Sequence, residues 1–302
     1  MTSTNRWLSA LARLRVDRST GDPAPHKPLM LLVVFDLAET GQLADDILLL
    51  TGELTFRLTQ YWVAVAGRRK QPPDIRLPFH HLGSDGIWQP LTSAGQLSPD
   101  RKLTTAARLD PEFVKFAQDP TCRDRARRLL IATYFPLQER LALYASAGLA
   151  TPDDFALVHT PGYEPAVEVA KGRSARFRTS IVAAYDYTCA LTRQRLVTVA
   201  AGSLVDAAHI HRFADSRDDD IQNGLALSKN AHWLFDAGLW TLTDEFRVVI
   251  AAEHYFEDAP DQKPLLDYQG SHLQLPADPR FRPRAKNLSH HRKTVFRGLI
   301  AG

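Results

Sequence analysis

The segment that most constrains this chain is residues 205–238, VDAAHIHRFADSRDDDIQNGLALSKNAHWLFDAG. An apolar run that ends at His209 has the length of a short β-strand. A polar loop follows, and Asn223 with Gly224 makes a turn dipeptide near its end. Ser228 then suits the N-cap of a helix that continues to the end of the segment. The pattern predicts a strand, a long loop and a short helix.

Two metal-ligand types lie on one face of the predicted helix. His232 and Asp236 are spaced so that their side chains project from the same face, one turn apart. An imidazole and a carboxylate in this arrangement can hold a divalent cation. Each residue alone is more often an ordinary core or surface residue, so the prediction rests on their combination.

The order His209, Asn223, His232 resembles that of the HNH, or ββα-metal, nuclease family. The words AAHI and NGLAL, followed by a helix with HxxxD and then glycine, match the family pattern closely. The resemblance implies that His209 is the general base that activates water and that Asn223 orients the base or its loop. The chemistry agrees, because phosphodiester hydrolysis needs an activated water and a histidine that is neutral near pH 7 can supply it. It also implies that His232 and Asp236 hold the metal.

The ligand set and the metal stay open. Many relatives carry a ligand immediately before the base, where this chain has Ala208. Asp206 is a further candidate ligand, with loop capping as an equal alternative. We expect one divalent ion, and a mixed shell accepts Mg²⁺ or Mn²⁺ as well as Ni²⁺, Co²⁺ or Zn²⁺. Many relatives also have a pair of cysteines in this region, of which this chain has only Cys189. A structural zinc ion typically needs four protein ligands, so no structural zinc finger is expected.

Composition limits the class of protein. The chain has 302 residues, 44% hydrophobic and 24% charged, which fits two ordinary globular domains. No apolar run approaches the roughly 20 residues of a membrane span, and the N-terminus lacks an apolar signal core. The two cysteines, Cys122 and Cys189, fit a reducing cytoplasm rather than a disulfide scaffold. A net charge of +3 and a pI of about 8.9 are compatible with nucleic-acid binding.

The first half of the chain reads as mainly helical. Apolar residues at helical spacing predict an amphipathic helix over residues 4–15 and another helix over 51–66. A strongly apolar run between His26 and Gly41, with a proline near its start, predicts a buried helix. Four arginines crowd into residues 123–128, and Arg125 and Arg128 share one helical face. Such a basic face can grip phosphates, but a solvated face is the commoner outcome.

This half contains two further motifs, HKPL at residues 26–29 and LPFHHLGSDGIW at residues 77–88. Together they resemble the sulfur-recognising DNA-binding domain of type IV restriction endonucleases, which join that domain to an HNH nuclease. In that family a shallow apolar pocket accepts a phosphorothioate sulfur and cationic side chains surround it. Arg68, Arg69 and Lys70 precede the second motif and are candidate DNA contacts, although three loop cations are more often simply solvated.

The resemblance assigns individual pocket residues. His26 and Lys27 match the family's His-Arg pair, and Pro78 matches the pocket proline. Leu77 stands where an aromatic residue is common, and His81 in the same motif is a further candidate contact. Lysine lacks the planar fork with which arginine holds two phosphate oxygens. A pocket for a modified base or an unmodified backbone therefore stays an alternative, as does a plain core role for the proline.

A proline- and glycine-containing stretch predicts a linker over residues 160–172. It divides the chain into a DNA-recognition domain, residues 1–160, and an HNH nuclease domain, residues 161–302. A helix then precedes the nuclease core, and its Arg176 and Arg178 are placed to contact the DNA backbone.

Within the nuclease half, residues 196–200 and 203–208 are expected to pair as strands, and residues 239–242 and 246–250 to form a hairpin. His211 and the acidic run 218–220 read as a solvated loop.

The whole sequence predicts an α+β, metal-dependent and cytoplasmic endonuclease that restricts foreign double-stranded DNA carrying phosphorothioate groups, without a membrane partner. Three alternatives stay open. The first is a catalytically weak sensor or regulator that binds modified DNA. The second is an HNH nuclease that recognises methylated or hydroxymethylated cytosine, and the third is an HNH nuclease whose first domain binds a protein partner. Because one ββα site cuts one strand, double-strand cleavage needs a homodimer or two successive nicks.

Overall fold

The computed structural model describes residues 3–19, 21–67, 74–152, 164–258 and 261–299. The chain divides into two units, one of Met1–Arg176 with Thr198–Gly202 and one of Phe177–Val197 with Ser203–Gly302. Every helix within the described ranges is too short or too polar to span a bilayer.

Helices form most of the first unit. They are α1 (Ser3–Leu11), α2 (His26–Glu39), α3 (Gly52–Trp62), α4 (Arg76–His81), α5 (Pro111–Gln118), α6 (Pro120–Tyr134) and α7 (Leu137–Ser146). An antiparallel sheet accompanies them, made of β1 (Ile47–Leu49), β2 (Trp88–Leu91) and β3 (Ala106–Leu109). Strand β3 lies in the middle of this sheet. The mainly helical first half that the sequence predicts is confirmed.

Helix α2 is the centre of this unit because nearly all of its side chains are apolar. Every residue from Lys27 to Ala38 is buried, and α3, α4, α5 and α6 pack against the helix. Burying one leucine, valine or phenylalanine side chain contributes about 1.5–3 kcal/mol. The helix ends at Glu39, close to the predicted stop at Gly41, whose φ of +72° suits a glycine after a helix.

Two arginines of α6 turn into the protein. Arg127 is 1% exposed, and its Nη2 donates to Asp36 Oδ1 at 2.6 Å and to Glu39 Oε2 at 2.9 Å. The Tyr61 hydroxyl donates to the same Asp36 oxygen at 3.0 Å. Arg123 donates to backbone carbonyls at the end of α5. Arg123 and Arg127 are therefore neither solvated nor available to phosphates. Arg125 is exposed and Arg128 is half-buried, so the basic face predicted from these two residues stays a prediction.

The second unit contains the strand pairs. Helix α8 (Pro165–Ala184) enters it from the first unit. The elements that follow are β4 (Val197–Thr198), β5 (Gly202–Ser203), β6 (Val205–His209), α9 (Phe213–Ser216), β7 (Gly224–Ser228), α10 (Lys229–Asp236), β8 (Trp240–Leu242), β9 (Val248–Ile250) and α11 (Ala285–Thr294). Strand β6 pairs antiparallel with β7, and β8 pairs with β9, which confirms the predicted hairpin. Because α10 follows β7 directly, β6, β7 and α10 form a ββα unit.

Two predictions about this region are wrong in part. The linker predicted over 160–172 is helical from Pro165 onward, and residues 160–163 lie outside the described ranges. The pairing predicted between 196–200 and 203–208 is limited to the two-residue strands β4 and β5, and β6 pairs with β7 instead. All five residues of β7 are buried. A short run that is buried on both faces lacks the alternation of apolar and polar residues that identifies a half-buried strand. The sequence analysis therefore did not predict β7.

Candidate active site

The ββα unit positions the polar residues of the site. His209 is the last residue of β6 and lies opposite Gly224, the first residue of β7. Asn223 immediately precedes β7. Ser228 ends β7, and its hydroxyl caps α10 by accepting a hydrogen bond from the Ala231 N–H at 3.4 Å. Helix α10 contacts both strands, so the strand end, the turn and the helix lie together.

The His209 ring is held between an aromatic ring and a carboxylate. It stacks on Phe177 of α8, with the ring centroids 3.9 Å apart and the planes at 7°. Its Nε2 lies 3.1 Å from Asp219 Oδ1, and 22% of the side chain is exposed. Burial lowers the pKa of His209, although Asp219 and Asp218 act in the opposite direction. The imidazole is therefore neutral near pH 7, the state that a general base needs.

The Asn223 side chain is fully buried and bonds only to backbone groups. Its Oδ1 accepts from the His211 N–H at 2.9 Å, and its Nδ2 donates to the carbonyls of His211 and Asp218, each at 2.9 Å. These three bonds join the beginning and the end of the loop between β6 and β7. The side chain therefore holds the loop and makes no hydrogen bond to the His209 ring.

His232 and Asp236 meet on the exposed side of α10. His232 Nε2 lies 3.4 Å from Asp236 Oδ2, and 29% and 50% of the two side chains are exposed. His232 is also close enough to His209 to lower the pKa of that residue. The imidazole and the carboxylate are thus adjacent, accessible and near His209.

The structure does not bring Asp206 into this group. Side chains alternate along a strand, so Asp206 and His209 point to opposite faces of β6. Asp206 Oδ1 lies 3.6 Å from Arg178 Nε and accepts a hydrogen bond from the Ala207 N–H at 2.8 Å. Within the described ranges, no group of three or more His, Cys, Asp or Glu side chains is arranged to hold a metal ion.

A second cluster of predicted residues lies in the first unit. Lys27 Nζ is 2.6 Å from Asp85 Oδ2 and 3.3 Å from Ser84 Oγ, and only 11% of the lysine and 3% of the aspartate side chain is exposed. The ring centroid of His26 lies 5.0 Å from that of Trp62. The predicted cation at residue 27 is therefore already paired inside the protein.

The remaining residues of this cluster lie on α4 or beyond it. Pro78 is buried, Leu77 is half-buried and His81 is exposed. The pKa of His81 is lowered, first by partial burial and then by the nearby charges of His80, Lys27 and Arg101. The structure thus brings His81 and Lys27 together, and it adds Arg101, which the sequence analysis missed. Arg68, Arg69 and Lys70 lie outside the described residues.

Two family models match the chain. Residues 189–243, which contain the elements from β4 to β8, match the model of the HNH endonucleases. Residues 4–152 match a model described as the ScoMcrA-like DNA sulfur-binding domain. The chain joins a DNA sulfur-binding domain to an HNH endonuclease domain. His209, Asn223, His232 and Asp236 fall inside the HNH domain, and His26, Lys27, Leu77, Pro78 and His81 fall inside the sulfur-binding domain.

Among solved structures, the chain is similar to a protein described as "Modification dependent TagI restriction endonuclease". It is 23% identical to this chain, with a TM-score of 0.31, and the match covers 42% of each chain. This chain thus spans less than half the length of that structure. No curated protein matches the chain.

The ligand groups of the HNH domain fit a metal only in part. HNH nucleases generally use a divalent metal ion. His232 and Asp236 supply two adjacent ligands, whereas a catalytic zinc ion usually has three from the protein. Magnesium-type ions take one or two carboxylates and complete their shell with water and phosphate oxygens. The chemistry of the pair therefore suits an ion that shares its coordination with DNA.

Two arginines of α8 were predicted to contact DNA next to the HNH domain. Arg178 lies beside Asp206, which offsets part of its charge. Arg176 is exposed, and its guanidinium covers Gly148 so closely that a Cβ there would overlap it. Neither contact excludes a phosphate from the outer side of the guanidinium groups.

Proposed function

We propose that the protein is a divalent-metal-dependent endonuclease that hydrolyses phosphodiester bonds in double-stranded DNA carrying phosphorothioate groups. The observation that carries the nuclease half is a neutral, partly buried His209 at the end of a ββα unit whose helix presents His232 and Asp236. The family match over residues 189–243 supports the same activity. The choice of phosphorothioate rests on the match over residues 4–152.

In the proposed reaction, His209 takes a proton from water, and the water oxygen attacks phosphorus as the bond to the leaving sugar oxygen breaks. Asn223 keeps the loop between β6 and β7 closed beside the ring. His232 and Asp236 would hold a divalent ion, which would supply charge stabilisation on the phosphate and on the leaving oxygen. The chain itself thus provides the base, its orientation and two metal ligands.

The proposed recognition site lies around α4 of the first unit. A phosphorothioate sulfur is polarisable and poorly hydrated, so it prefers an apolar wall, while its phosphate still attracts cations. Leu77 and Pro78 supply apolar atoms, and the exposed His81 lies near Lys27 and Arg101. Because Lys27 is paired with Asp85, the exposed members His81 and Arg101 are the better candidates for direct phosphate contact.

The cell compartment and the assembly are part of the same proposal. Cys122 and Cys189 are both free, which agrees with action in a reducing cytoplasm. One ββα unit cuts one strand, so double-strand cleavage would require a homodimer or two successive nicks. Measuring the mass of the DNA complex in solution distinguishes these two routes.

A cleavage assay on matched DNA duplexes tests the proposal. The duplexes are unmodified, phosphorothioated, methylated or hydroxymethylated at cytosine, and each is incubated with Mg²⁺ or with Mn²⁺. We expect the wild-type protein to cut only the sulfur-containing duplex. His209→Ala should slow cleavage by about 10²–10⁴-fold, the usual contribution of a general base, and should leave DNA binding unchanged.

Each other outcome selects one of the alternatives. Cleavage of methylated or hydroxymethylated DNA alone would retain the nuclease and replace the sulfur assignment. Binding of modified DNA without cleavage under any metal condition would identify a sensor rather than an enzyme. Unchanged cleavage by His209→Ala would remove that histidine from the role of base.

A further inference from the structure

The acidic run of residues 218–220 divides between two partners. Arg284, which precedes α11, places Nη2 2.7 Å from Asp220 Oδ2 and Nη1 3.8 Å from Asp218 Oδ2. The middle residue, Asp219, instead places Oδ1 3.1 Å from His209 Nε2. The outer two carboxylates therefore hold the loop to the arginine, and the middle one faces the candidate base.

The backbone around Asp219 is fixed by further hydrogen bonds. Asn223 Nδ2 donates to the Asp218 carbonyl at 2.9 Å. Asp218 Oδ1 accepts from the Asp220 N–H at 3.0 Å, and Asp220 Oδ1 accepts from the Gln222 N–H at 2.8 Å. The residues on both sides of Asp219 are thus tied down, which limits where its carboxylate can point.

Resting on the proposed function, we infer that Asp219 is a positioning residue for the reaction. It holds the Nε2–H of His209, so that Nδ1 is the nitrogen that takes the proton from water. A carboxylate only accepts hydrogen bonds, so the ring nitrogen that faces it must carry a hydrogen. In a neutral imidazole the other nitrogen then has the free lone pair. Among the described residues, Nδ1 of His209 has no hydrogen-bond partner.

Two contacts together define the orientation of the ring. Stacking on Phe177 fixes the plane of the imidazole, and the bond to Asp219 fixes its rotation within that plane. When His209 accepts the proton from water it becomes a cation, and the carboxylate beside Nε2 stabilises that cation. Asp219 thus favours both the reactive tautomer and the charged product of the proton transfer.

The first test measures the tautomer of His209 directly. The ¹⁵N chemical shifts of the ring in the metal-free full-length protein should report hydrogen on Nε2. In Asp219→Ala the preference should disappear, and in Asp219→Asn it should weaken or reverse because the amide can donate to Nε2. A hydrogen on Nδ1 in the wild-type protein would overturn the inference. This readout does not depend on cleavage, so it stays informative even if the proposed function fails.

The second test compares single-turnover cleavage by Asp219→Ala and by the matched control Asp220→Asn. We expect Asp219→Ala to slow cleavage by about 10²-fold or more with unchanged DNA affinity, and Asp219→Glu to recover part of the rate. Asp220→Asn keeps the acceptor for Gln222 and replaces the oxygen that faces Arg284 with an amide nitrogen. It therefore loses one partly exposed ion pair but leaves the Asp219 carboxylate and the other bonds of the loop in place, so its rate should fall less than about 3-fold. Equal losses in both variants would show that the run has only a structural role.

A metal-binding experiment tests whether Asp219 is instead a ligand of the metal ion. Titration of each variant with Mn²⁺ should give the same affinity for Asp219→Ala as for the wild-type protein. A loss of about tenfold or more in Asp219→Ala would make the carboxylate a metal ligand and overturn the positioning role.

Discussion

The charge of Lys27 is already paired with a buried carboxylate inside the first unit. Its Nζ lies 2.6 Å from Asp85 Oδ2, and both side chains are almost fully buried. Asp85 also accepts a hydrogen bond from the Arg15 N–H at 2.7 Å. Removing one member of such a pair leaves the other charge buried without compensation. A loss of DNA binding on mutation of this lysine is therefore evidence for contact only if the unit stays folded.

At this residue scale we predict that Lys27→Met lowers the free energy of unfolding of the first unit by about 3–5 kcal/mol. The double variant with Asp85→Asn should recover much of this loss, since no carboxylate is then buried alone. Urea denaturation followed by the fluorescence of the unit's tryptophans measures both. A single variant that costs less than about 1 kcal/mol would show that the pair is well solvated.

At the scale of elements, Gly224 permits the close approach of α8 to β7. A Cβ at this position would overlap the Ile181 side chain and would lie 2.9 Å from Phe177 Cζ. Phe177 is also the ring that stacks on His209. A side chain at position 224 would therefore push against Phe177, and a shift of Phe177 would move the His209 ring that stacks on it.

We predict that Gly224→Ala destabilises the second unit by about 1–3 kcal/mol, the usual cost of overpacking, and also slows cleavage. Adding Ile181→Ala to the same chain removes the overlapping side chain and should restore part of the cleavage rate. Thermal unfolding and single-turnover rates measure the two effects. Unchanged stability in Gly224→Ala would mean that α8 and β7 separate at low cost.

Helix α11 contributes a buried imidazole to the same unit. His291 is 2% exposed, stacks on Phe235 and faces the Thr241 hydroxyl through Nδ1 and the Phe235 carbonyl through Nε2. Since a carbonyl only accepts, Nε2 carries the hydrogen. The pKa of His291 is lowered from the ordinary 6.5 to about 4, so the ring is neutral at pH 7. Burial is the main cause, and the charges of Arg212, His290 and Arg292 act in the same direction, whereas the hydrogen bond to the Phe235 carbonyl opposes them.

This pKa predicts a pH-dependent stability. Above pH 6.5, His291 makes its full contribution to the free energy of unfolding, because the ring is neutral in both the folded and the unfolded chain. This contribution is lost as the pH falls toward 4, because the unfolded chain then binds a proton that the folded chain does not. The loss reaches about 3 kcal/mol. Replacing the residue in His291→Gln should flatten this part of the stability profile, measured by urea unfolding between pH 7 and 4.5. A wild-type profile that is level over that range would contradict the buried neutral ring.

At the scale of the whole molecule, the proposed recognition site and the proposed cleavage site belong to different units. His81 of the first unit lies near Lys27 and Arg101, whereas His209 of the second unit bonds to Asp219. The two histidines share no partner among the described residues. Substitutions at such independent sites usually have additive effects.

We predict that His81→Ala weakens binding to phosphorothioated DNA by about 5–20-fold at moderate salt and leaves the single-turnover rate at saturating protein unchanged. In the double variant with His209→Ala, the binding and cleavage defects should simply combine. Binding titrations and cleavage time courses measure the two separately. A changed rate in His81→Ala at saturation would show that recognition controls the chemical step.

The sequence by itself determined the order of polar residues in the ββα unit and the buried α2 helix. Both are local patterns: the word NGLAL, the spacing of His232 and Asp236, and a continuous apolar run that begins at a proline and stops near a glycine. Local propensity and side-chain spacing are enough to predict such features. The mainly helical first half and the hairpin of β8 and β9 followed in the same way.

Tertiary structure decided the features that depend on residues distant along the chain. Three identical aspartates have the same propensity, and only the positions of Arg284 and His209 assign the outer two and the middle one to different partners. Likewise the local sequence has no signal for the burial of Arg127 against Asp36 of another helix. Charge pairing and burial on both faces of β7 arise from packing, because they depend on which surfaces meet rather than on the local order of residues.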